Sequence, residues 1–375
     1  MARVEGTTSD RFAGLRAQLA GNLDRGEDIG ASVAVIQHGE LVCDIWGGYR
    51  DAAKTVPWTS DTIVNVWSTT KTMTFLVMLM LCDRGELDFD APVKRYWPEF
   101  AAQGKGDIEV QHLMNHTAGL SGWSEKLKLE ELADWPRCVD ALAAQEPWWR
   151  DRSRSGYHAC TQGYLLGEVA RRITGTTIGR FFKTEVADVL GADFWIGLPE
   201  SEESRVSVVI PPGLPEGFSS DRDSIRYRTL SSPPLSADAP RHRWWRAAEI
   251  PAANGHGNAR SVATIQQIIA NRGEANGHRF FGEKTGEQIF DVRTSGVDMV
   301  LGIDVNFGVG YGLASSSVPV GPRACYWGGF GGSVIIMDQN LGLTVAYMMN
   351  KMNVGLVGDV RGGAFAVSAA IAASA

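Results

Sequence analysis

The chain has 375 residues, of which 44% are hydrophobic and 21% charged, a balance typical of a soluble globular protein. Its net charge of −7 and its lack of any Lys/Arg-rich stretch argue against a nucleic-acid partner. The five cysteines include no C-x-x-C pair, which favours free thiols in a reducing compartment. Residues 1–10 lack the apolar core of a signal peptide, and no apolar run is long enough to span a bilayer. We therefore predict a cytoplasmic protein with no membrane partner.

The first predicted elements are a helix over residues 8–23 and a hairpin of strands 32–37 and 41–47. The turn of this hairpin is predicted at His38-Gly39-Glu40. A strongly apolar helix is predicted next, over residues 68–84.

The later predicted elements alternate with turns, and they are helices over 108–116, 164–174 and 261–271 and a strand hairpin over 333–338 and 343–349. Residues 200–240 are rich in Pro and Ser without a sustained period, which indicates a long surface loop or a lid. Strands at both ends with helices between them predict an α+β fold, an antiparallel β-sheet flanked by helices, closed by both ends of the chain. We expect residues 1–85 and 250–375 to form this sheet domain, with 86–249 as an inserted, mainly helical domain.

The segment Ser68-Thr69-Thr70-Lys71 opens the apolar helix. Side chains at i and i+3 lie on one face of a helix, so the serine hydroxyl and the lysine amine can meet. A serine becomes nucleophilic when a neighbour accepts its proton, and an amine among apolar residues gives up its own proton more easily. The spacing alone is equally compatible with an N-cap serine followed by a surface lysine.

Two further segments carry candidate chemistry. Tyr157 lies in Gly156-Tyr157-His158-Ala159-Cys160, and a tyrosine close to a cation can relay a proton. The run from Trp327 to Ser333 contains Gly328, Gly329 and two more glycines before a predicted strand, where glycines allow close approach to the backbone. Taken singly, a packed core tyrosine and a glycine-rich turn are the simpler interpretations.

In this order, the three segments resemble the serine β-lactamase and penicillin-binding-protein superfamily, for which S-x-x-K is a characteristic element. The stretch from His112 to Leu120, HLMNHTAGL, resembles that family's H-L-L-x-H-T-S-G-L. The tyrosine segment, and W-G-G in place of K-T-G, are most similar to the family VIII carboxylesterases, which themselves resemble class C β-lactamases. The resemblance runs from about Asp28 to Met352 and is weakest over residues 200–240.

The resemblance implies that Ser68 is the nucleophile and that Lys71 and Tyr157 share its proton as the base. It also implies an oxyanion hole made by the backbone N–H groups of Ser68 and Phe330. The residues that it implies for substrate contact are His158, Trp327, Gly328 and Gly329.

Two departures from the β-lactamase pattern bear on the substrate. Ala159 stands where class C β-lactamases have an asparagine, and Trp327 stands where a lysine would contact the substrate carboxylate. Both changes favour a more apolar cleft, so we predict neutral, short-to-medium acyl esters as substrates. The literal K-T-G at Lys284-Thr285-Gly286 lies in a charged stretch with no strand after it, and we interpret it as unrelated to the site.

The resulting prediction is a serine carboxylesterase that works through an acyl-enzyme, with a small-molecule ester as its partner. The alternatives are a β-lactamase or D-Ala-D-Ala peptidase-like hydrolase, or a catalytically silent binding protein on the same fold. His112 and His116 have i, i+4 spacing, but the glutamate of H-E-x-x-H and a third ligand are lacking, so we predict no metal and no cofactor. The sequence leaves the oligomeric state open.

Overall fold

A computed structural model of the chain describes residues 2–212 and 221–375. The α-helices are α1 (Gly14–Asp24), α2 (Lys71–Asp83), α3 (Val110–Met114), α4 (Trp135–Ala144), α5 (Thr161–Thr174), α6 (Ile178–Phe182), α7 (Asp188–Leu190), α8 (Ile225–Leu230), α9 (Arg243–Ala247), α10 (Ala259–Ala270), α11 (Glu283–Glu287) and α12 (Val360–Ser374). A π-helical turn, Lys183–Ala187, joins α6 to α7.

The strands are β1 (Val4–Thr8), β2 (Gly30–Gln37), β3 (Glu40–Gly48), β4 (Val64–Asn65), β5 (Phe194–Trp195), β6 (His256–Gly257), β7 (Glu274–Ala275), β8 (His278–Arg279), β9 (Thr294–Val297), β10 (Asp304–Phe307), β11 (Gly312–Leu313), β12 (Ala324–Gly328), β13 (Val334–Asp338) and β14 (Leu343–Met349). Short 3-10 helices cover Asp10–Phe12, Trp67–Thr70, Val93–Arg95, Pro98–Gly104, Leu129–Ala133, Glu200–Arg205, Ala239–Arg241 and Gln288–Phe290.

Nine strands form one antiparallel sheet in the order β1-β3-β2-β14-β13-β12-β11-β10-β9. The two ends of the chain meet where β2 pairs with β14, with Ala31 opposite Met349 and Gln37 opposite Leu343. This pairing confirms the prediction of an antiparallel sheet closed by both ends of the chain.

Both predicted hairpins are present, and the ends of their strands differ from the predicted ones by at most two residues. In the first, His38 and Gly39 have φ values of 50° and 84°, as a tight two-residue turn between right-twisted strands requires. In the second, β13 and β14 are joined through Gln339–Gly342.

Every residue of β2 and β14 is buried, as expected for central strands that are covered by helices on both faces. Helix α10 packs on β2, β13 and β14, while α1 and α12 pack on each other and on the sheet. No helix among residues 2–212 and 221–375 is long and apolar enough to cross a membrane.

Helix α2 connects the sheet region to the helical region. Residues Lys71 to Leu81 of this helix are all buried, and the helix packs against α5 and α6. The two predicted domains therefore share one continuous hydrophobic core, and their boundaries stay a prediction.

Two sequence predictions need correction. The helix predicted from Ser68 begins as the 3-10 turn Trp67–Thr70, and regular α-helix starts only at Lys71. The segment 200–240, predicted as a loop or lid, contains helix α8 and two 3-10 turns, while its residues 213–220 lie outside the described part. Packing against the rest of the protein orders α8, although its sequence has no sustained period.

Candidate active site

Ser68 lies in a turn whose backbone is strained. Trp67, immediately before it, has a φ of 50°, in the left-handed region that a bulky residue rarely occupies. Its ring is held by Trp245 and Phe330, with centroids 5.6 and 5.4 Å away, and the hydrogen bond from the Val66 N–H to the Gly255 carbonyl fixes the strand before it. Non-glycine residues keep such a conformation only where their surroundings enforce it, and this is common at functional sites.

The amine of Lys71 is fully enclosed beside the serine. Its Nζ lies 3.3 Å from Ser68 Oγ, and it donates to the carbonyl oxygens of Ala159 at 2.6 Å and Ala252 at 3.0 Å. A neutral amine has two N–H groups and one lone pair. The two carbonyls take the two hydrogens, which leaves the lone pair for the Ser68 hydroxyl.

The buried position also favours the neutral amine. Lys71 is only 1% exposed, and burial lowers the pKa of its amine from 10.5 to about 7. Among residues 2–212 and 221–375 no carboxylate forms an ion pair with it. A substantial fraction of Lys71 is therefore able to accept a proton at neutral pH.

Tyr157 completes the group around the serine hydroxyl. Its phenol donates to Ser68 Oγ at 2.6 Å, and Lys71 Nζ lies 4.8 Å from the centre of its ring. Burial raises the pKa of this phenol well above its usual value of 10, so Tyr157 is protonated at neutral pH. Tyr157 is thus set to donate a proton, whereas Lys71 is set to accept one.

The backbone that carries Tyr157 is held by buried side chains. The N–H of Tyr157 donates to Asp298 Oδ1 at 3.1 Å, and the next N–H, of His158, donates to His116 Nδ1, also at 3.1 Å. Asp298 Oδ1 accepts two further backbone N–H bonds, from Val300 and Leu301, both at 2.8 Å. The tyrosine is therefore tied to the 298–301 turn, far from it in sequence.

Two backbone N–H groups are the candidates for the predicted oxyanion hole. The Ser68 N–H stands at the start of its 3-10 turn, where the first amides lack a partner within the helix. In the described part of the chain the Phe330 N–H donates to no carbonyl, although Gly329 and Gly331 on either side both do. Such N–H groups stabilise negative charge that develops on a carbonyl oxygen.

These groups lie at one end of a cleft of about 320 Å³. Ser68, Tyr157, Ala159 and Phe330 line the catalytic end. The remaining walls are largely apolar and consist of Trp67, Trp123, Leu230, Pro233, Leu235, Ala253, Val354 and Leu356, with Ser121, Cys160, Arg226, Thr229 and Ser232 among them. Several of these residues belong to α8 and the turn after it, so part of the predicted lid segment covers the cleft.

His158 and Trp327 lie behind the catalytic group, away from the cleft surface. His158 is fully buried, its Nδ1 donates to the Gly156 carbonyl and its Nε2 accepts the Leu120 N–H. Burial lowers the pKa of His158 to about 3, so the ring is neutral and both nitrogens are occupied. The Trp327 ring is 1% exposed and packs between Phe75 and the Tyr157 ring. Substrate contact by these two side chains, which the resemblance implied, stays a prediction, and in the structure Trp327 packs against the Tyr157 ring.

The glycines of the W-G-G segment allow neighbouring backbone to pack closely against them. A Cβ on Gly329 would lie 2.4 Å from the Val66 carbonyl oxygen, and one on Gly328 would lie 2.4 Å from the Gly358 nitrogen. Substrate contact at these two glycines stays a prediction. In the structure both glycines leave room for the backbone of neighbouring segments. Phe330, the next residue, lines the cleft.

Two other sequence motifs lie apart from this group. Lys284 is exposed on α11, and Thr285 donates to Asp83 at the end of α2. Because α2 has 13 residues, that end lies roughly 20 Å from Lys71. His112 Nδ1 accepts the Glu109 N–H, and the described part of the chain contains no cluster of three or more metal-ligating side chains.

Sequence reasoning did not identify Asp298 or Arg226. Asp298 contacts the Tyr157 segment across 141 positions, and Arg226 lies in the segment predicted as a loop. Neither stands in a motif, so only the tertiary structure reveals their positions.

The comparisons with known proteins identify the family of the chain. The sequence model of the beta-lactamase family matches residues 15–364. The chain is 33% identical to the esterase/beta-lactamase LipL of Mycobacterium tuberculosis, over 93% of this chain and 83% of that protein. A solved family VIII carboxylesterase superposes with a TM-score of 0.93 at 37% identity, covering 99% of this chain and 100% of that one. EstA from Arthrobacter nitroguajacolicus superposes with a TM-score of 0.88 at 29% identity, covering 99% of each chain.

The prediction of a β-lactamase-like α+β fold is thereby confirmed. The family match spans most of the sequence, and relatives above 30% identity cover the chain almost from end to end. The chain therefore belongs to the beta-lactamase family, and it is a serine hydrolase of that family.

Proposed function

We propose that this protein is a carboxylesterase that hydrolyses short-to-medium acyl esters through an acyl-enzyme on Ser68. The proposal rests on the Ser68 hydroxyl, which lies 2.6 Å from Tyr157 and 3.3 Å from Lys71 at the end of an apolar cleft. LipL and the family VIII carboxylesterase, whose names describe esterases, support the same activity.

In the acylation step, neutral Lys71 accepts the Ser68 proton while Oγ attacks the ester carbonyl carbon. The carbonyl oxygen becomes an oxyanion, which the N–H groups of Ser68 and Phe330 stabilise. When the intermediate collapses, the bond from carbon to the alcohol oxygen breaks. Tyr157 donates its proton to the departing alcohol and is reprotonated by Lys71, which regains its neutral form.

In the deacylation step, water takes the place of the alcohol. Its proton passes to the Lys71–Tyr157 pair as its oxygen attacks the acyl carbon, and a second oxyanion forms in the same position. Collapse of this intermediate releases the acid and returns the proton to Ser68 Oγ, so the enzyme is regenerated.

The cleft walls support esters over β-lactams. Ala159 lines the catalytic end and has no side-chain donor or acceptor. Trp327 faces the core and supplies no cation at the position of the β-lactamase lysine, and the cation that the described residues do place in the cleft, Arg226, lies on the α8 wall instead. Trp123, Leu230 and Leu235 provide an apolar surface for an acyl chain, and the limited volume favours short-to-medium lengths.

The nucleophile assignment is tested by Ser68→Ala and by covalent labelling. Hydrolysis of p-nitrophenyl butyrate should be abolished in Ser68→Ala, with an unchanged thermal unfolding curve. In the wild type, a fluorophosphonate should form one adduct on the peptide that contains Ser68. An adduct on Ser121 or Ser232, the other serines that line the cleft, would overturn the assignment.

The second candidate function is β-lactam hydrolysis, which the double description of LipL as esterase and beta-lactamase favours. The two functions are separated by measuring kcat/KM for p-nitrophenyl butyrate and for a chromogenic cephalosporin under the same conditions. We expect the ester to be the better substrate. A higher kcat/KM for the cephalosporin would assign the protein to the β-lactamases.

A further inference from the structure

One charged side chain lines the cleft among the described residues, and it is Arg226 of helix α8. The other cleft-lining residues are apolar, hydroxyl-bearing or a thiol. A guanidinium keeps its charge at every physiological pH. The wall formed by α8 therefore places a permanent positive charge beside a site that is otherwise suited to neutral esters.

The Arg226 guanidinium is held in place, but its charge is not neutralised. Its Nη1 donates to the backbone carbonyls of Val300 and Leu301. In the described part of the chain no carboxylate pairs with it, and its Nε and Nη2 form no hydrogen bond there. Arg228 on the same helix does not line the cleft, and its guanidinium carbon lies 4.1 Å from the centre of the Trp148 ring.

The carbonyls that hold Arg226 also fix its place relative to the catalytic tyrosine. Val300 and Leu301, which accept from the guanidinium, both donate their own N–H groups to Asp298 Oδ1. The same oxygen accepts the Tyr157 N–H. One buried carboxylate thus ties together the arginine anchor and the residue that protonates the leaving alcohol.

We propose that Arg226 selects esters that carry a second, free carboxylate, such as half-esters of dicarboxylic acids or esters of hydroxy acids. This inference rests on the proposed function and defines its substrate class. A carboxylate accepts charge-assisted hydrogen bonds from the free guanidinium N–H groups, while the ester carbonyl lies at Ser68. The sequence predicted wholly neutral esters, and that prediction stays open; Arg226 carried no signal in the sequence.

The carboxylate has two possible positions, on the acyl part or on the alcohol part, and two substrate pairs distinguish them. The first pair is p-nitrophenyl hemiglutarate and p-nitrophenyl valerate, which differ by a carboxylate on the acyl chain. The second pair is 3-acetoxybenzoate and phenyl acetate, which differ by a carboxylate on the alcohol. For each pair the measured quantity is the ratio of kcat/KM for the anionic ester to kcat/KM for the neutral one.

Arg226→Gln should lower one of these two ratios by about tenfold, as expected for loss of one charge-assisted hydrogen bond at a partly exposed site. Arg226→Lys should restore part of the ratio, and in the wild type the ratio should fall as salt concentration rises. The matched control is Arg228→Gln on the same short helix, in which both ratios should stay at their wild-type values.

Two results would overturn the proposal. One is an unchanged ratio for both pairs in Arg226→Gln, and the other is an equal loss on all four esters, which would make Arg226 a purely structural residue. Either result, with neutral-ester hydrolysis still dependent on Ser68, would leave the esterase function intact. Loss of that Ser68 dependence would instead contradict the proposed function itself.

Discussion

Ser68, Lys71 and Tyr157 are 7%, 1% and 2% exposed, whereas Arg226 and Leu230 on the facing wall are only partly buried. The catalytic end is built from the start of helix α2 and from a loop tied to buried side chains. The facing wall is one short helix and the turn that follows it. The two ends of the same cleft thus differ in how firmly the surrounding core holds them.

We expect this difference to separate the reaction chemistry, at the catalytic end, from substrate selectivity, on the α8 wall. Groups that move a proton need distances fixed to within a few tenths of an ångström, and the core supplies that precision around Lys71. A wall made from a surface segment can change its side chains without disturbing the core. Substitutions at the catalytic end should therefore affect all esters alike, while substitutions on the α8 wall should change the order of substrates.

The largest effects should come from the proton-transfer pair. Lys71→Met, which fills a similar volume, and Tyr157→Phe should each lower kcat/KM for p-nitrophenyl butyrate by roughly 10²–10⁴-fold. Because the proposed mechanism makes both residues act on one proton, the double variant should be scarcely worse than the more damaged single variant. Losses that multiply in the double variant would mean that the two side chains act independently.

The pH dependence should report the buried amine. Burial lowers the pKa of Lys71 to about 7, and in the proposed mechanism only its neutral form accepts the serine proton. Activity should therefore be full above this pKa and should fall about tenfold per pH unit below it. Tyr157 should add no second inflection to the pH profile near neutral pH, because burial raises its pKa. A kcat/KM profile for a neutral ester that stays flat from about pH 6 to 8 would contradict Lys71 as the base.

Much of the fold follows from local sequence signals. The two hairpins were predictable because alternation and turn residues such as Gly39 and Gly342 act over a few positions. The irregular start of the helix at Ser68 could not be predicted, because the left-handed backbone conformation of Trp67 depends on the packing of its ring against Trp245 and Phe330. Tertiary contacts of this kind leave no periodic pattern in the sequence.

Some residues of the site were likewise predictable from sequence motifs, and others were not. The order of the three motifs pointed to Ser68, Lys71 and Tyr157, and the structure brings these side chains together. Sequence could not say which way Trp327 faces, because every residue of β12 is buried and no alternation marks an exposed side. Asp298 contributes through a hydrogen bond across 141 positions, which no local spacing reveals.

A smaller effect is expected at this buried carboxylate, which connects the two ends of the cleft. Asp298→Ala would leave three backbone N–H groups without their acceptor, so the free energy of unfolding should fall by about 3 kcal/mol. Asp298→Asn keeps one acceptor oxygen and should recover much of this loss. If Asp298 positions Tyr157, kcat should drop in Asp298→Ala with little change in KM. A variant with lower stability but wild-type kcat would restrict Asp298 to a structural role.

The smallest effect is expected at the literal K-T-G segment, which provides the control for the whole comparison. Lys284 is exposed on α11, beyond the opposite end of α2 from Ser68, and an exposed side chain with no catalytic contact has little influence on a distant reaction. Lys284→Ala should keep kcat/KM within about twofold of wild type for neutral and anionic esters alike. The measurement is the same four-ester series used for Arg226. A large loss on every ester would return the catalytic role to this triplet, and a loss confined to the anionic esters would move the carboxylate anchor from the α8 wall to Lys284.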